Sequence, residues 1–273
     1  MAQLNINILS NEFVRPLSPT KDPFKKYHLS VLDLDQSMPN FFFPVIFYYD
    51  HDQTTSTTQL ELSSRLRESL SQTLTMFYPF AGRLNRADNS IDCNDTGLRY
   101  LEAKVDSKIT EVIKRNDAQM VDPLIPNLTG NGEEEDEIFA IQVNYFSCGG
   151  IAIGTYVPHK MADGLSFFSF MTTWAAISLQ HAYNNTLKQG RSEDEKLSGA
   201  DSNLFPVYDV DFGMGKPVWT SIGSLNIKNC AVLLDSKCGD GIEAWVTMNQ
   251  QDMARFQLAF DYQSKLTCMN KTS

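Results

Sequence analysis

The sequence predicts an α/β (α+β) fold, and three observations carry that prediction. Runs rich in β-branched and aromatic residues recur along the chain, each bounded by Gly, Pro, Asn or Asp, which is the pattern of strands. Between them lie stretches whose apolar residues fall at three- and four-residue steps, the period of an amphipathic helix. The composition is that of a globular protein, 42% hydrophobic, 11% aromatic and 21% charged over 273 residues. That is enough chain for one large domain or two ordinary ones, with a substantial core.

Taken in order, residues 5 to 11 read as an edge strand, after which Pro16, Pro19 and Pro23 enforce an extended loop. Tyr27 to Asp33 alternates as a strand ending in a turn at Asp33, with His28 on the strand surface. Phe41 to Tyr49 reads as a buried strand and the polar stretch from Asp50 to Gln59 as a solvent loop. From Gln59 to Phe77, Leu60, Leu66, Leu70, Leu74 and Phe77 share one helical face, and Arg65, Arg67 and Glu68 lie off it. Pro79 ends this helix and Gly82 permits the turn that follows. Arg83 is read as a solvated or carboxylate-paired surface arginine.

Ser90 to Glu102 is expected to form a hairpin around a turn at Asn94 to Gly97. A short helix follows near Ile109 to Arg115, then a proline-bounded loop at 123–126 and an acidic run, Glu133 to Glu137, read as solvated. Ile138 to Phe146 and Ile151 to Val157 are expected to pair as strands across Gly149 and Gly150. Asp163 is a good N-cap for a helix whose residues Leu165, Phe168, Met171, Trp174, Ala175 and Leu179 keep the helical period. Residues 182–203 are polar and aperiodic, as in a linker. Strands are expected again at 205–210, 218–219, 231–234 and 242–247, with a last helix opening at Asp252. A meander of that size cannot close a core by itself and must pack on something else.

Charge and cysteine content narrow the function classes. Thirty-three acids against 23 bases give a net charge of −10, which argues against nucleic acid and anionic membranes as partners. The N-terminus has no basic region followed by a long apolar core, and the longest apolar run, Phe41 to Tyr49, is too short to span a bilayer. A cytoplasmic location is therefore expected. The five cysteines are odd in number and scattered, so they are read as free thiols rather than as a disulfide framework or a zinc site. No Gly-x-Ser-x-Gly elbow is present, which disfavours serine-hydrolase chemistry.

The chemistry-bearing stretch is Val157 to Gly164. A strand delivers His159 to its end, and a helix capped by Asp163 begins four residues later, a placement that exposes a side chain on rigid supports. A metal site built from His159 and Asp163 with His28, His51 or His181 lacks a third ligand at metal spacing, so no metal is assigned.

His159-Lys160-Met161-Ala162-Asp163-Gly164 and Asp211-Phe212-Gly213-Met214-Gly215-Lys216-Pro217 stand in the order of the two signature motifs of the plant BAHD acyltransferases. Leu17 to Thr20, Tyr78 to Arg83, Asp92 to Asp95, Cys148 to Gly150 and Gly239 to Trp245 support the match over essentially the whole chain. The sequence resembles that family, and within it the vinorine-synthase-like members that acetylate alkaloid or terpenoid alcohols. The resemblance implies a chloramphenicol-acetyltransferase-like two-domain architecture and an acyl-CoA-dependent O-acyltransferase. Acyl-CoA, acetyl-CoA by subfamily, would be a co-substrate rather than a bound cofactor, a small-molecule alcohol would be the acceptor, and the protein would be a monomer. By the same resemblance His159 is the general base. Asp163 and Gly164 support its loop, with the Asp163 carboxylate turned toward an arginine, and Asp211, Phe212, Gly213 and Gly215 form a structural motif. The residues that would bind coenzyme A are not identifiable.

Two departures stand out. Met214 replaces the family tryptophan, and Asp163 and Asp211 are only 48 positions apart, where the family places about a domain's length of chain. The expected organisation is thus an N-terminal domain with the HxxxD motif at 1–181, a linker at 182–203 where a block is missing, and a truncated C-terminal domain at 204–273. A buried Asp163 without its arginine would cost about 3–5 kcal/mol, so a poorly stable and weakly active or inactive protein is expected. The alternative reading is a catalytically dead family member that acts at most as a binding or interaction protein.

Overall fold

The computed structural model describes residues 4–30, 33, 42–50, 57–115, 118–127, 136–188, 207–225, 227–238 and 241–270, the helix ends 185–188 and 261–270 as backbone. The chain divides into two units, residues 1–224 and 225–273. In chain order the first holds β1 (Ile6–Val14), β2 (Lys26–His28), β3 (Phe42–Tyr49), α1 (Gln59–Met76), β4 (Arg83–Asn85), β5 (Ser90–Asp92) and β6 (Leu98–Val105). It continues with α2 (Ile109–Arg115), α3 (Ala118–Val121), β7 (Ala140–Phe146), β8 (Ile151–Pro158), α4 (Gly164–Lys188) and β9 (Trp219–Ile222). The second unit holds β10 (Cys230–Asp235), β11 (Ile242–Thr247) and α5 (Gln250–Asn270).

Six strands of the first unit form one mixed sheet in the order β1-β6-β7-β8-β3-β9. All neighbours are antiparallel except β6 and β7, whose parallel pairing requires the crossover that carries α2 and α3. Both faces of the sheet are covered over β3, β7 and β8, which explains why these strands read as continuous apolar runs rather than alternating ones. Successive residues of β3 point to opposite faces. Phe47 packs on Phe167 and Tyr49 on Phe212, on the side of α4, whereas Ile46 and Tyr48 join Ile109, Val112, Leu124 and Ile125 of the crossover in the other half of the core.

On that second face, residues 122–125 lie as a strap across β7 and β8. Gln142 Nε2 donates to the Pro123 carbonyl and Asn144 Nδ2 to the Leu124 carbonyl, each at 2.9 Å or less. The strap fits because Gly154 has no side chain: a Cβ there would lie 2.1 Å from the Leu124 carbonyl oxygen.

On the first face, α1 and α4 pack side by side. A capping box closes the start of α1, with Thr58 and Glu61 satisfying each other's backbone amides. Leu62, Leu66, Leu70 and Leu74 line its buried side. Leu60, expected on that side, is exposed, and Arg65, expected off it, is buried. Trp174 of α4 donates to the Leu66 carbonyl and Ser69 Oγ, both at 3.1 Å, and joins the two helices.

Other sequence expectations change. Ser90 to Glu102 is not a hairpin: β5 pairs with β2 and β4 in a small three-stranded sheet, while β6 enters the large one. The chain does turn at Asp95 (φ 55°) and Gly97 (φ 107°), but the turn passes it between sheets. Glu137, read as part of a solvated run, is buried in an ion pair with Arg99 at 2.6 Å. Residues 182–188 continue α4 instead of opening a linker; the rest of the expected linker lies outside the described residues. Val207 to Asp209 form a 3-10 turn rather than a strand, and β9 joins the large sheet within residues 1–224.

In the second unit β10 and β11 pair antiparallel, with Leu233 opposite Ala244 and Asp235 opposite Ile242. This sheet face is open: Leu233 is 58% and Ile242 70% exposed. Leu234, on the other face, is the buried hydrophobic residue of this unit among the described residues. Asn249 caps α5, its Oδ1 accepting the Asp252 amide at 2.9 Å, so the helix opens ahead of the Asp252 expected to start it.

Candidate active site

Strand β8 is held on both sides, by β7 and by β3, and its register with β3 sets Phe43 opposite Val157 and Phe42 opposite Pro158. His159 is the next residue. The Met161 amide donates to the Pro158 carbonyl at 2.8 Å, which turns the chain back at once, and Ala162 is buried beneath the turn. The imidazole is half-buried. Phe43 meets it edge-on, ring centroids 6.3 Å apart and planes at 79°, and meets Phe167 in the same way at 6.1 Å and 88°. A ring fixed to the sheet and a ring fixed to α4 thus flank the point where strand gives way to helix.

Asp163 ends the turn. Its Oδ1 accepts the Ser166 amide at 2.7 Å and its carbonyl accepts the Phe167 amide at 2.9 Å, the geometry of an N-cap. The Ser166 amide and hydroxyl hold the carboxyl below the usual carboxylate range, and nearby His159 adds to the effect. The resemblance implied a carboxylate turned toward an arginine. Here Asp163 is exposed and, among the described residues, in no ion pair, because the donors left unpaired in the first turn of α4 satisfy it. The penalty expected for a buried, unpaired carboxylate therefore does not arise. Gly164 begins α4.

The second motif is a loop seated on the α1 and α4 face. Asp211 Oδ1 accepts the amides of Gly213 at 2.7 Å and Met214 at 3.1 Å, so the carboxylate closes its own loop. Gly213 and Gly215 take φ values of +84° and +85°, which glycine adopts without strain. Phe212 is buried between Tyr49 and Trp174, at ring distances of 5.9 and 4.5 Å. The Tyr49 hydroxyl donates to the Val210 carbonyl at 2.7 Å, and Ser178 Oγ and Arg65 Nη2 both donate to the Phe212 carbonyl. Met214 is half-exposed. Ser178 lies fifteen residues along α4 from Asp163, roughly 22 Å at 1.5 Å per residue, so the loop stands away from His159.

The sequence did not single out Phe43, Tyr49, Arg65 or Ser178. Arg65, Ser69 and Thr73 form one polar row at four-residue steps, and all three are buried beside the leucine stripe. The small hydroxyls in that row, which suit close helix contact, were the available signal. Among the described residues no three His, Cys, Asp or Glu side chains gather as a metal site, and His181 bonds to Gln72 at 3.1 Å; His51 lies outside them. Nor is any described helix long and apolar enough to cross a membrane.

A mixed sheet backed by α1 and α4 is the class of fold seen in the crystal structure of vinorine synthase. That structure superposes with a TM-score of 0.69 at 22% identity, covering 92% of this chain and 96% of that chain. The chain belongs to the Transferase family, the BAHD acyltransferases, which it matches over residues 4–192 and 179–262. Limonoid 21-O-acetyltransferase of Melia azedarach is 34% identical over 212 residues, 77% of this chain and 46% of that protein. Stemmadenine O-acetyltransferase of Catharanthus roseus is 38% identical over 176 residues, 63% and 41%. The chain spans less than half the length of these curated relatives, and its two family matches meet at 179–192, toward the end of α4.

Proposed function

We propose that the chain is an acyl-CoA-dependent O-acyltransferase acting in the cytosol as a monomer, and that it transfers an acetyl group from acetyl-CoA to a hydroxyl of a plant alkaloid or terpenoid. The observation that carries this reading is the His159 turn. The imidazole is half-buried at the end of a fully paired strand, with its loop braced by the Asp163 cap. Family membership and the acetyltransferase names of the relatives support the donor and the acceptor class.

In the proposed reaction His159 takes the proton of the acceptor hydroxyl as its oxygen attacks the thioester carbonyl. The tetrahedral adduct then expels the coenzyme A thiolate, which recovers the proton, so ester and free thiol form together. No covalent acyl-enzyme is needed. Incubating the purified chain with acetyl-CoA and a panel of alkaloid and terpenoid alcohols, with products read by mass, tests the reading. An acetylated product that depends on His159 supports it, and no product with any acceptor refutes it.

A second reading, a family member that binds but does not catalyse, is favoured by the open apolar face of β10 and β11 and by the chain's short span of its relatives. Under it, wild type and His159→Ala would alike leave acetyl-CoA uncleaved with every acceptor.

A further inference from the structure

Arg65 belongs to neither motif, yet it is 8% exposed and, among the described residues, in no ion pair. Its Nη2 donates to the Phe212 carbonyl at 3.1 Å and its Nε has no partner. Burial lowers its pKa, against the opposing influence of Asp211 and Glu61. A guanidinium taken out of water needs compensation in place; here the Phe212 carbonyl of the 211–215 loop accepts from it directly, and the carboxylates of Asp211 and Glu61 act at longer range. Ser178 Oγ donates to the same carbonyl at 3.0 Å, so both lone pairs are used, one toward α1 and one toward α4. The loop sits flush on both helices: a Cβ on Gly213 would lie 2.9 Å from Ala182 Cβ and 3.4 Å from Arg65 Nη2.

We propose that Arg65 is a positioning residue. Through the Phe212 carbonyl it fixes the 211–215 loop across α1 and α4, and so holds α4, whose first turn carries the Asp163 cap beside His159. The loop half of this inference stands by itself; its effect on turnover rests on the acyl-transfer reading above.

Residue-resolved amide exchange of the full chain tests it, with Arg65→Met as the main variant. The Gly213 and Met214 amides should exchange roughly tenfold faster or more, as loss of a charged hydrogen bond implies, while the amides of β7 and β8 keep their wild-type rates. In Arg65→Ala, added ethylguanidinium should slow that exchange again, because an open surface pocket of about 310 Å³, lined by Leu60, Glu61, Ser64, Arg65, Glu68 and His181, gives access to the vacated place. Where the wild type shows acyl transfer, kcat should fall at constant KM for acetyl-CoA and recover with ethylguanidinium. Unchanged Gly213 and Met214 exchange in a folded variant would overturn the proposal, as would a uniform rise across the sheet without rescue. Should Arg65→Met not fold, Ser178→Ala removes the neutral donor to the same carbonyl and is held to the same two outcomes. A wild type with no transfer activity sinks the acyl-transfer reading and leaves the exchange result to decide the role of Arg65.

Discussion

Asp163 and His159 stand four residues apart, and their surroundings assign them different work. The carboxylate accepts the Ser166 amide, so its contribution is to the start of α4. Replacing it with Ala should cost about 0.5–2 kcal/mol of stability in urea unfolding, whereas Asn, which also caps, should cost far less. Because the folded state holds this carboxyl below its ordinary value, its stabilising effect is complete above the unfolded pKa and fades as the pH falls through the lower folded one. The difference between wild type and Asp163→Ala should therefore narrow in acid, and a difference that grew there would contradict the cap. Cys93 offers a second check at this scale. Burial, with Asp95 and Asp92 nearby, pushes its thiol up to about 11, and Cys238 is an exposed free thiol. Peptide mapping after brief alkylation should find Cys238 modified first and Cys93 last; prompt labelling of Cys93 would mean that this core is open.

At the scale of elements, the sheet is kept in place by what crosses it. The strap at 122–125 touches β8 where Gly154 leaves room, so Gly154→Ala should destabilise the protein by about 1–3 kcal/mol through overpacking. A melting temperature equal to that of the wild type would show that the strap gives way easily. Most of the strands and the three long helices were legible because their signals are local: period, capping residue and breaker all lie within one segment. Partners were not. Ser90 to Glu102 has the residues of a hairpin, and only the rest of the fold sends β5 and β6 to different sheets. Arg65 shows the same limit, since a charged residue beside a leucine stripe reads as solvated until a loop about 147 positions later supplies a carbonyl to it. The motif residues His159, Asp163 and Phe212 were legible only through resemblance; they lie on a turn and a loop, and among the described residues Asp163 has a helix start rather than the expected arginine as its partner.

For the whole molecule, the two units differ in how much they bury. The first has a sheet whose central strands are covered on both faces, whereas the second leaves Leu233 and Ile242 open on one side of a two-stranded sheet. A hairpin of that kind is marginal by itself. Amides of β10 and β11 should exchange through local opening, far faster than those of β7 and β8, whose protection should approach that of global unfolding. Equal protection in both units would mean that the open face is covered in solution. Low stability, expected from the sequence through Asp163, thus moves to the second unit, and the His159 turn stands on the better-packed part of the chain. The most direct measurement is the rate of acetyl-CoA thioester cleavage in the presence of an accepted alcohol, wild type beside His159→Ala. With His159 as the base, its loss should lower the rate about 100-fold or more, and equal rates in the two proteins would contradict that role.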